Sequence, residues 1–181
     1  MEELPQKVRK PYILGLVAFC SGSGKTTIIE RLIVNLRDKG YKIGTLKHSE
    51  CQVEMDRAGK DSFRFTAAGA NQVVVASDRT IGMFRIIREK VELEQVLILF
   101  EDVDIILIEG YKNSRYPKIE VHRQCMGAPL LYKVGDATDI IAVASDEKLN
   151  IDCDFLDLND AACVATWIAE RADFFFNSDK N

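Results

Sequence analysis

The sequence predicts an α/β fold in three layers, with a mostly parallel sheet, helices on both of its faces and an antiparallel hairpin as an extension. Apolar runs rich in β-branched residues alternate with amphipathic segments along the whole chain. The first apolar run leads directly into a glycine-rich loop. No repeat or low-complexity linker interrupts the alternation, so we predict a single domain over residues 1–172 and a flexible C-terminal tail over residues 173–181.

The first forty-odd residues have the pattern of a strand, a helix and a second strand. Tyr12 to Phe19 is a nearly continuous apolar run, typical of a strand covered on both faces. Apolar residues at helical spacing predict a helix from Lys25 to about Lys39, and Gly40 stands where a left-handed cap belongs. A strand over 42–47 follows, so we expect a right-handed βαβ crossover.

Later segments continue this alternation. Runs of β-branched residues predict strands at 72–77, 104–108, 118–122 and 140–144. Helical spacing predicts helices over 57–69, over 92 to about 101, and from an N-cap at Asn159 toward Arg171. The segment 83–88 is a candidate strand of the antiparallel hairpin.

Composition and charge exclude several classes of protein. Among 181 residues, 47% are hydrophobic and 29% charged, which is typical of a globular domain with its own core. The formal charge of −4 argues against a nucleic-acid binder that relies on a general positive field. Five cysteines without a CxxC pair indicate reduced thiols. The N-terminus lacks a signal-peptide core and no apolar run approaches roughly 20 residues, so we expect a cytoplasmic protein.

The glycine-rich loop is the candidate phosphate site. Backbone N–H groups can turn inward around an anion only where side chains are small, and the helix that follows directs its positive end at the same place. Lys25 adds a charge at the β- and γ-phosphates, and the Thr26 hydroxyl is a candidate Mg²⁺ ligand. The complete P-loop pattern has glycine where this chain has Phe19, and the alternative is an incidental turn. The predicted phosphate-binding residues are Ser21, Gly22, Ser23, Gly24, Lys25, Thr26 and Thr27.

An acidic residue at the end of a neighbouring strand should hold the magnesium ion or its water. The segment DIILIEG at 104–110 offers Glu109 at one end and Asp104 at the other. These residues would lie about 17 Å apart at ~3.3 Å per residue, so both cannot serve one site. We predict Glu109, with Lys25 and Glu109 as the candidate catalytic residues.

Two further groups of polar residues follow predicted strands. No Asn-Lys-x-Asp signature for guanine occurs, but Asp146 follows the strand 140–144 and could accept hydrogen bonds from guanine N1 and N2. A strand-ending turn explains Asp146 equally well.

A basic stretch after Glu109 suits a phosphorylated substrate or a nucleotide bound to a partner, although solvated surface charges are the alternative. It comprises Lys112, Arg115, Lys118 and Arg123, interrupted by Tyr111 and Tyr116. We predict His122 to be a packed or hydrogen-bonded imidazole.

Four stretches in order resemble the MobB family of P-loop GTP-binding proteins. They are FCSGSGKTT, LKHSE followed by DRAGKDSFRFTAAGA, DIILIEGYK, and YPKIEVHR. The resemblance implies a P-loop NTPase-like fold, GTP with Mg²⁺ as ligands, and a homodimer with at most slow GTP hydrolysis. It implies an accessory role in molybdenum cofactor biosynthesis, where the partner MobA joins GMP to molybdopterin to form molybdopterin guanine dinucleotide.

The resemblance also bears on the segment from His48 to Ser62. It implies that Asp56 lies near Mg²⁺ and Lys60 near a phosphate or the anionic pterin, while a loop with Asp61 as N-cap is the alternative. Relatives often place several histidines after the position of His48, whereas this chain has one, followed two residues later by Glu50 and then Cys51. We therefore favour a polar loop with an incidental thiol here, and a metal site with His48 and Cys51 as two of its ligands is the alternative.

Two other functions fit parts of the pattern. A small-molecule kinase would use the same loop and Mg²⁺, and the lid arginines it needs could come from Arg79, Arg85 and Arg88. A partition-type ATPase would need a basic face for DNA, which this composition lacks.

Overall fold

The computed structural model describes residues 9–49 and 57–178. The chain forms two compact units, the first made of its residues up to His48 and from Phe100 onward, the second of Ser49–Leu99. The sequence had predicted one domain. Local patterns cannot distinguish these cases, because they predict strands without saying which strands pair.

The described secondary structure alternates strands and helices. The strands are β1 (Tyr12–Val17), β2 (Ile43–Lys47), β3 (Gln72–Ala76), β4 (Ile81–Arg85), β5 (Ile105–Glu109), β6 (Lys118–His122), β7 (Ile140–Ser145) and β8 (Asp154–Asp157). The helices are α1 (Lys25–Asp38), α2 (Asp61–Ala67), α3 (Leu93–Leu97), α4 (Leu131–Val134) and α5 (Ala161–Ser178), with a 3₁₀ turn at Gln124–Met126. None of these helices in the described part of the chain is both long and apolar enough to cross a bilayer.

The first unit is built on a six-stranded sheet in the order β2-β5-β1-β6-β7-β8. Every neighbouring pair in it is parallel. The carboxyl ends of β1, β5, β6 and β7 therefore meet at one edge, which is where an open α/β sheet binds ligands. The predicted mostly parallel P-loop NTPase-like fold is confirmed.

Helices cover this sheet because its strands are apolar on both faces. One face packs on α1 and α5 in a single core that includes Leu16, Leu32 and Ile168. On the other face, the buried Glu120 accepts hydrogen bonds from the backbone N–H groups of Leu131 at 2.7 Å and Tyr132 at 2.9 Å. These N–H groups open α4 and have no partner within the helix, so the Glu120 carboxylate fixes α4 on that face.

Lys118 is fully buried, which corrects its assignment to a ligand-binding basic stretch. Its ammonium donates to the carbonyl oxygens of Ser114, of Tyr116 at 2.7 Å and of Thr138 at 3.0 Å. Burial lowers the pKa of Lys118. Gly15 makes room for the stem, because a Cβ there would lie 2.9 Å from Lys118 Cγ. The side chain points inward because alternation along β6 puts it on the same face as Glu120.

We expect Lys118→Met to lower the free energy of unfolding by about 2–4 kcal/mol, because three carbonyl groups lose their buried donor. The measurement is urea denaturation at neutral pH. Lys133→Met, at an exposed lysine of α4, is the matched control and should leave the transition midpoint nearly unchanged. Equal stabilities of the two variants would contradict the stabilising role of the hydrogen bonds that Lys118 donates to these three carbonyl groups.

The C-terminal helix differs from its prediction at both ends. α5 continues to Ser178, and Phe176 is buried while Phe175 packs on the core and on Tyr12, with ring centroids 5.8 Å apart. The predicted tail is therefore wrong for residues 173–178; residues 179–181 lie outside the described range. Asp160, not Asn159, caps the helix, since its Oδ1 accepts the N–H of Cys163 at 2.9 Å. Both residues suit an N-cap, and only the backbone path selects one.

The second unit contains the predicted antiparallel hairpin. β3 and β4 pair from Gln72 opposite Arg85 to Ala76 opposite Ile81, so the strand at 72–76 belongs to this hairpin and not to the parallel sheet.

The two helices of the second unit differ from their predictions. α2 begins at Asp61, with Lys60 at the N-cap position and Asp61 in the first turn. The alternative interpretation, in which Asp61 itself is the N-cap, is therefore wrong. α3 is shorter than predicted, and Gln95 closes its start by accepting the N–H of Glu92 at 3.0 Å.

Candidate nucleotide site

The phosphate loop connects the carboxyl end of β1 to the first residue of α1. Gly22 and Gly24 have φ of 78° and 88°, a backbone conformation that other residues adopt only with strain. Gly24 is also the N-cap of α1. The loop therefore turns directly into a helix N-terminus, where unpaired N–H groups and the helix dipole favour an anion.

The Lys25 ammonium folds back over this loop. Its Nζ donates to the carbonyl oxygen of Cys20 at 3.1 Å and to Ser23 Oγ at 3.3 Å. Burial lowers the pKa of Lys25, while the nearby Glu109 carboxylate acts in the opposite direction. A phosphate oxygen in the loop would be a stronger acceptor than either of these neutral oxygens, so Lys25 is placed to exchange them for an anionic ligand.

Thr26 and Glu109 meet at the same edge of the sheet, as the sequence predicted. Thr26 Oγ1 lies 3.2 Å from Glu109 Oε2, and Lys47 Nζ lies 3.7 Å from Glu109 Oε1. Asp104 lies at the other end of β5, where its carboxylate accepts the N–H of Lys42 at 2.8 Å. Mg²⁺ that binds together with a phosphate ligand needs only one or two protein oxygen ligands. A hydroxyl beside one carboxylate meets this need. In the described residues no three His, Cys, Asp or Glu side chains cluster into a dedicated metal site.

Residues just after β5 add aromatic and basic groups to this edge, and the sequence did not predict that these groups lie together. The rings of His48 and Tyr111 lie 4.4 Å apart, and Tyr111 has a φ of 51°. Gly110 permits this approach, because a Cβ there would lie 3.0 Å from the His48 Cβ. Lys112 Nζ reaches the carbonyl oxygen of Phe19 at 3.4 Å. The only sequence signal for this cluster was the Gly-Tyr-Lys run that follows Glu109.

Asp146 and Arg123 form a second polar group at this edge. His122 and Ser145 are opposite each other in the β6–β7 register, so the residues that follow them are neighbours. Arg123 Nη1 lies 3.3 Å from Asp146 Oδ2, and the Gln124 N–H donates to Asp146 Oδ1 at 3.0 Å. The buried His122 has Nε2 3.4 Å from Glu147 Oε1, which confirms a hydrogen-bonded imidazole.

Other predicted site residues belong to the second unit or lie outside the described residues. Lys60 is an exposed residue of the second unit, and Asp56 and Cys51 lie outside the described residues. Arg85, a candidate lid arginine, donates from Nε to Gln72 Oε1 at 2.9 Å across the hairpin. The roles assigned to Asp56 and Lys60 stay predictions.

A sequence profile of the family described as MobB, "Molybdopterin guanine dinucleotide synthesis protein B", matches residues 13–146. The chain belongs to the MobB family. This confirms the resemblance drawn from the four motifs. The matched range begins in β1 and ends at Asp146, so it contains the Thr26–Glu109 and Arg123–Asp146 groups of the candidate site.

Two similar MobB-family relatives carry the name "Molybdopterin-guanine dinucleotide biosynthesis adapter protein". The Escherichia coli K12 protein is 37% identical over 164 residues, which cover 87% of this chain and 93% of the relative. The Haemophilus influenzae protein is 35% identical over 158 residues, 86% of each chain.

Solved MobB structures share the fold. A MobB protein homologue from Bacillus stearothermophilus superposes with a TM-score of 0.68 at 23% identity, over 90% of this chain and 99% of that one. A crystal structure of molybdopterin-guanine biosynthesis protein B gives a TM-score of 0.69 at 24% identity, over 87% and 98%.

Proposed function

We propose that this MobB-family protein binds GTP with Mg²⁺ and acts as an accessory protein when a MobA-type guanylyltransferase attaches GMP to molybdopterin. The observation that carries the proposal is the meeting of Lys25, Thr26 and Glu109 at the glycine loop. These are the groups that hold a nucleoside triphosphate and its metal ion. The names of the relatives supply the pathway and the adapter role.

Each residue has a defined part in this proposal. The loop N–H groups and Lys25 bind the phosphates, Thr26 ligates Mg²⁺ and Glu109 orients Thr26 or a metal-bound water. The bound ion would neutralise phosphate charge. The first unit carries the P-loop without an evident nucleotidyl-transfer residue in its described part, which favours an accessory protein with at most weak GTPase activity through Lys25 and Glu109. Asp56 and Lys60 are proposed as further contacts to Mg²⁺ and to phosphate or pterin.

Asp146 is proposed as the group that reads guanine. A carboxylate has about four lone-pair positions, and Arg123 and Gln124 occupy one each. The remaining positions can accept the N1–H and N2–H of guanine, whereas adenine presents an acceptor at N1. The pKa of Asp146 is lowered by the Gln124 N–H bond and then by the Arg123 charge, against desolvation, so the group is an ionised acceptor at neutral pH.

We also propose a homodimer in the cytoplasm. The second unit exposes several large apolar side chains along and after its hairpin, a pattern that favours association: Val74, Val75, Ile81, Met83, Ile86 and Ile87. The four described cysteines are free thiols, as expected in a reducing compartment. A monomer in sedimentation equilibrium at micromolar concentration would contradict the dimer.

Two measurements test the proposed function. Calorimetric titration with Mg²⁺ should give tighter binding of GTP than of ATP, and a preference for ATP would contradict the guanine assignment. In a reconstituted reaction, purified MobA-type enzyme and molybdopterin should form more dinucleotide with this protein than without it. Rapid phosphoryl transfer from GTP or ATP to a small acceptor without the partner enzyme would instead identify a kinase.

A further inference from the structure

Arg123 spans the distance between Asp146 and the phosphate loop. Beyond its contact with Asp146, Arg123 Nε donates to the carbonyl oxygen of Ser23 at 3.2 Å. Ser23 lies 100 residues earlier in the chain, directly before Gly24. One planar guanidinium therefore joins the residue proposed to read the base to the loop proposed to hold the phosphates.

The phosphate loop is shaped to receive this guanidinium. A Cβ at Gly24 would lie 3.1 Å from Arg123 Nε and 3.3 Å from Nη2, so any larger residue would press on the guanidinium. The Ser23 side chain is itself buried. Because the Ser23 carbonyl points at Arg123, the peptide plane between Ser23 and Gly24 is oriented, and the N–H of Gly24 belongs to that same plane.

The Asp146 carboxylate receives two hydrogen bonds. Gln124 N and Arg123 Nη1 engage different oxygens of the carboxylate, so its plane is fixed by two donors. The donor Gln124 N–H comes from the residue next to Arg123, at the start of the 3₁₀ turn. A shift of Arg123 would therefore move the Asp146 carboxylate and the Ser23–Gly24 peptide together.

We propose that Arg123 is a positioning residue that couples base recognition at Asp146 to phosphate binding at the Ser23–Gly24 peptide. This inference rests on the proposed binding of GTP. When guanine holds the Asp146 carboxylate, Arg123 keeps the loop in its phosphate-binding form. A nucleotide whose base does not engage Asp146 leaves the same loop without that support. Arg123 thus increases the preference for GTP over ATP without touching the base.

The test compares Mg²⁺-dependent dissociation constants for GTP and ATP in the full chain and in three variants. Arg123→Ala removes both contacts. Arg123→Lys keeps the charge, but its single nitrogen cannot bridge the two acceptors as the guanidinium fork does. Arg171→Ala is the matched control, because Arg171 also pairs with an aspartate, Asp154, and has a similarly exposed side chain. Asp154 begins β8, so this pair lies at the opposite edge of the parallel sheet.

We expect both Arg123 variants to lower the ratio of GTP affinity to ATP affinity by about fivefold or more, and Arg171→Ala to keep the ratio of the unmodified protein. Thermal unfolding of each variant verifies that it is folded. If Arg123→Ala does not fold, the comparison is made with Arg123→Lys alone. An unchanged ratio in the Arg123 variants, equal losses for both nucleotides, or full recovery by Arg123→Lys would each overturn the coupling. The absence of a GTP preference in the unmodified protein is a separate result, which overturns the proposed function and the coupling with it.

Discussion

Replacing Lys25 by alanine is expected to reduce affinity for GTP at least about 100-fold. The ammonium is the one full positive charge built into the phosphate loop, and a hydrogen bond to a charged group contributes about 1.5–3 kcal/mol. Because Lys25 would contact two phosphates, we expect its removal to cost about 3 kcal/mol of binding free energy. At about 1.4 kcal/mol for each factor of ten, this loss corresponds to a weakening of about two orders of magnitude. Isothermal titration with Mg²⁺ and GTP measures it directly.

The fold should survive this substitution. The contacts of Lys25 Nζ in the loop are a carbonyl and a hydroxyl oxygen, and Lys25 is the first residue of α1. A cation at a helix N-terminus opposes the helix dipole, so Lys25→Ala should keep or slightly raise the thermal midpoint. Lys39→Ala, at the exposed C-cap of the same helix, is the control and should bind GTP normally. Unchanged GTP affinity in Lys25→Ala would contradict the phosphate site itself.

Replacing Asp146 by asparagine is expected to weaken GTP binding about 100-fold and to favour XTP over GTP. Guanine donates two hydrogen bonds that an ionised carboxylate accepts, and each is worth about 1.5–3 kcal/mol. Xanthine carries a carbonyl where guanine has its amino group, and the asparagine amide can donate to that oxygen. Competition of GTP, XTP and ATP against a fluorescent nucleotide measures the change in preference.

Asp104→Asn is the matched control for this change. Asp104 also accepts a backbone N–H, that of Lys42, but it lies at the amino end of β5, away from the phosphate loop. Its substitution should leave all three nucleotide affinities close to those of the unmodified protein. If Asp146→Asn retained GTP over XTP, Asp146 would be a strand-ending turn residue and the base would be read elsewhere.

The strongest sequence predictions concerned contiguous residues. Strand β1, the glycine loop and α1 are encoded within about thirty positions, because burial, small residues and helical spacing follow one another directly. Glu109 was also predictable, since only one end of the apolar run at 104–109 can share an edge with the loop in a parallel sheet. The structure brings Glu109 within hydrogen-bond distance of Thr26.

The weaker predictions concerned residues whose surroundings come from distant parts of the chain. Lys118 belongs to a basic stretch in sequence, yet strand alternation turns it into the interior, where three carbonyl groups surround it. The strand at 72–76 has the same composition as a parallel strand but pairs in a hairpin. Residues 173–178 were predicted to be a tail because their aromatic side chains have no partner nearby in the sequence. In the structure, Phe176 packs in the hydrophobic core.

The sequence by itself therefore determined that this protein has a parallel α/β sheet with a phosphate-binding loop, and it identified the family through four motifs. Only the tertiary structure decided that Arg123 lies between Asp146 and Ser23 and that residues 49–99 form a unit of their own. The physical reason is the range of the interactions. Helix caps, glycine conformations and apolar periodicity act between near neighbours in the chain, whereas strand order and side-chain pairing are set by packing between segments that can lie more than 100 residues apart, as Tyr12 and Phe175 do.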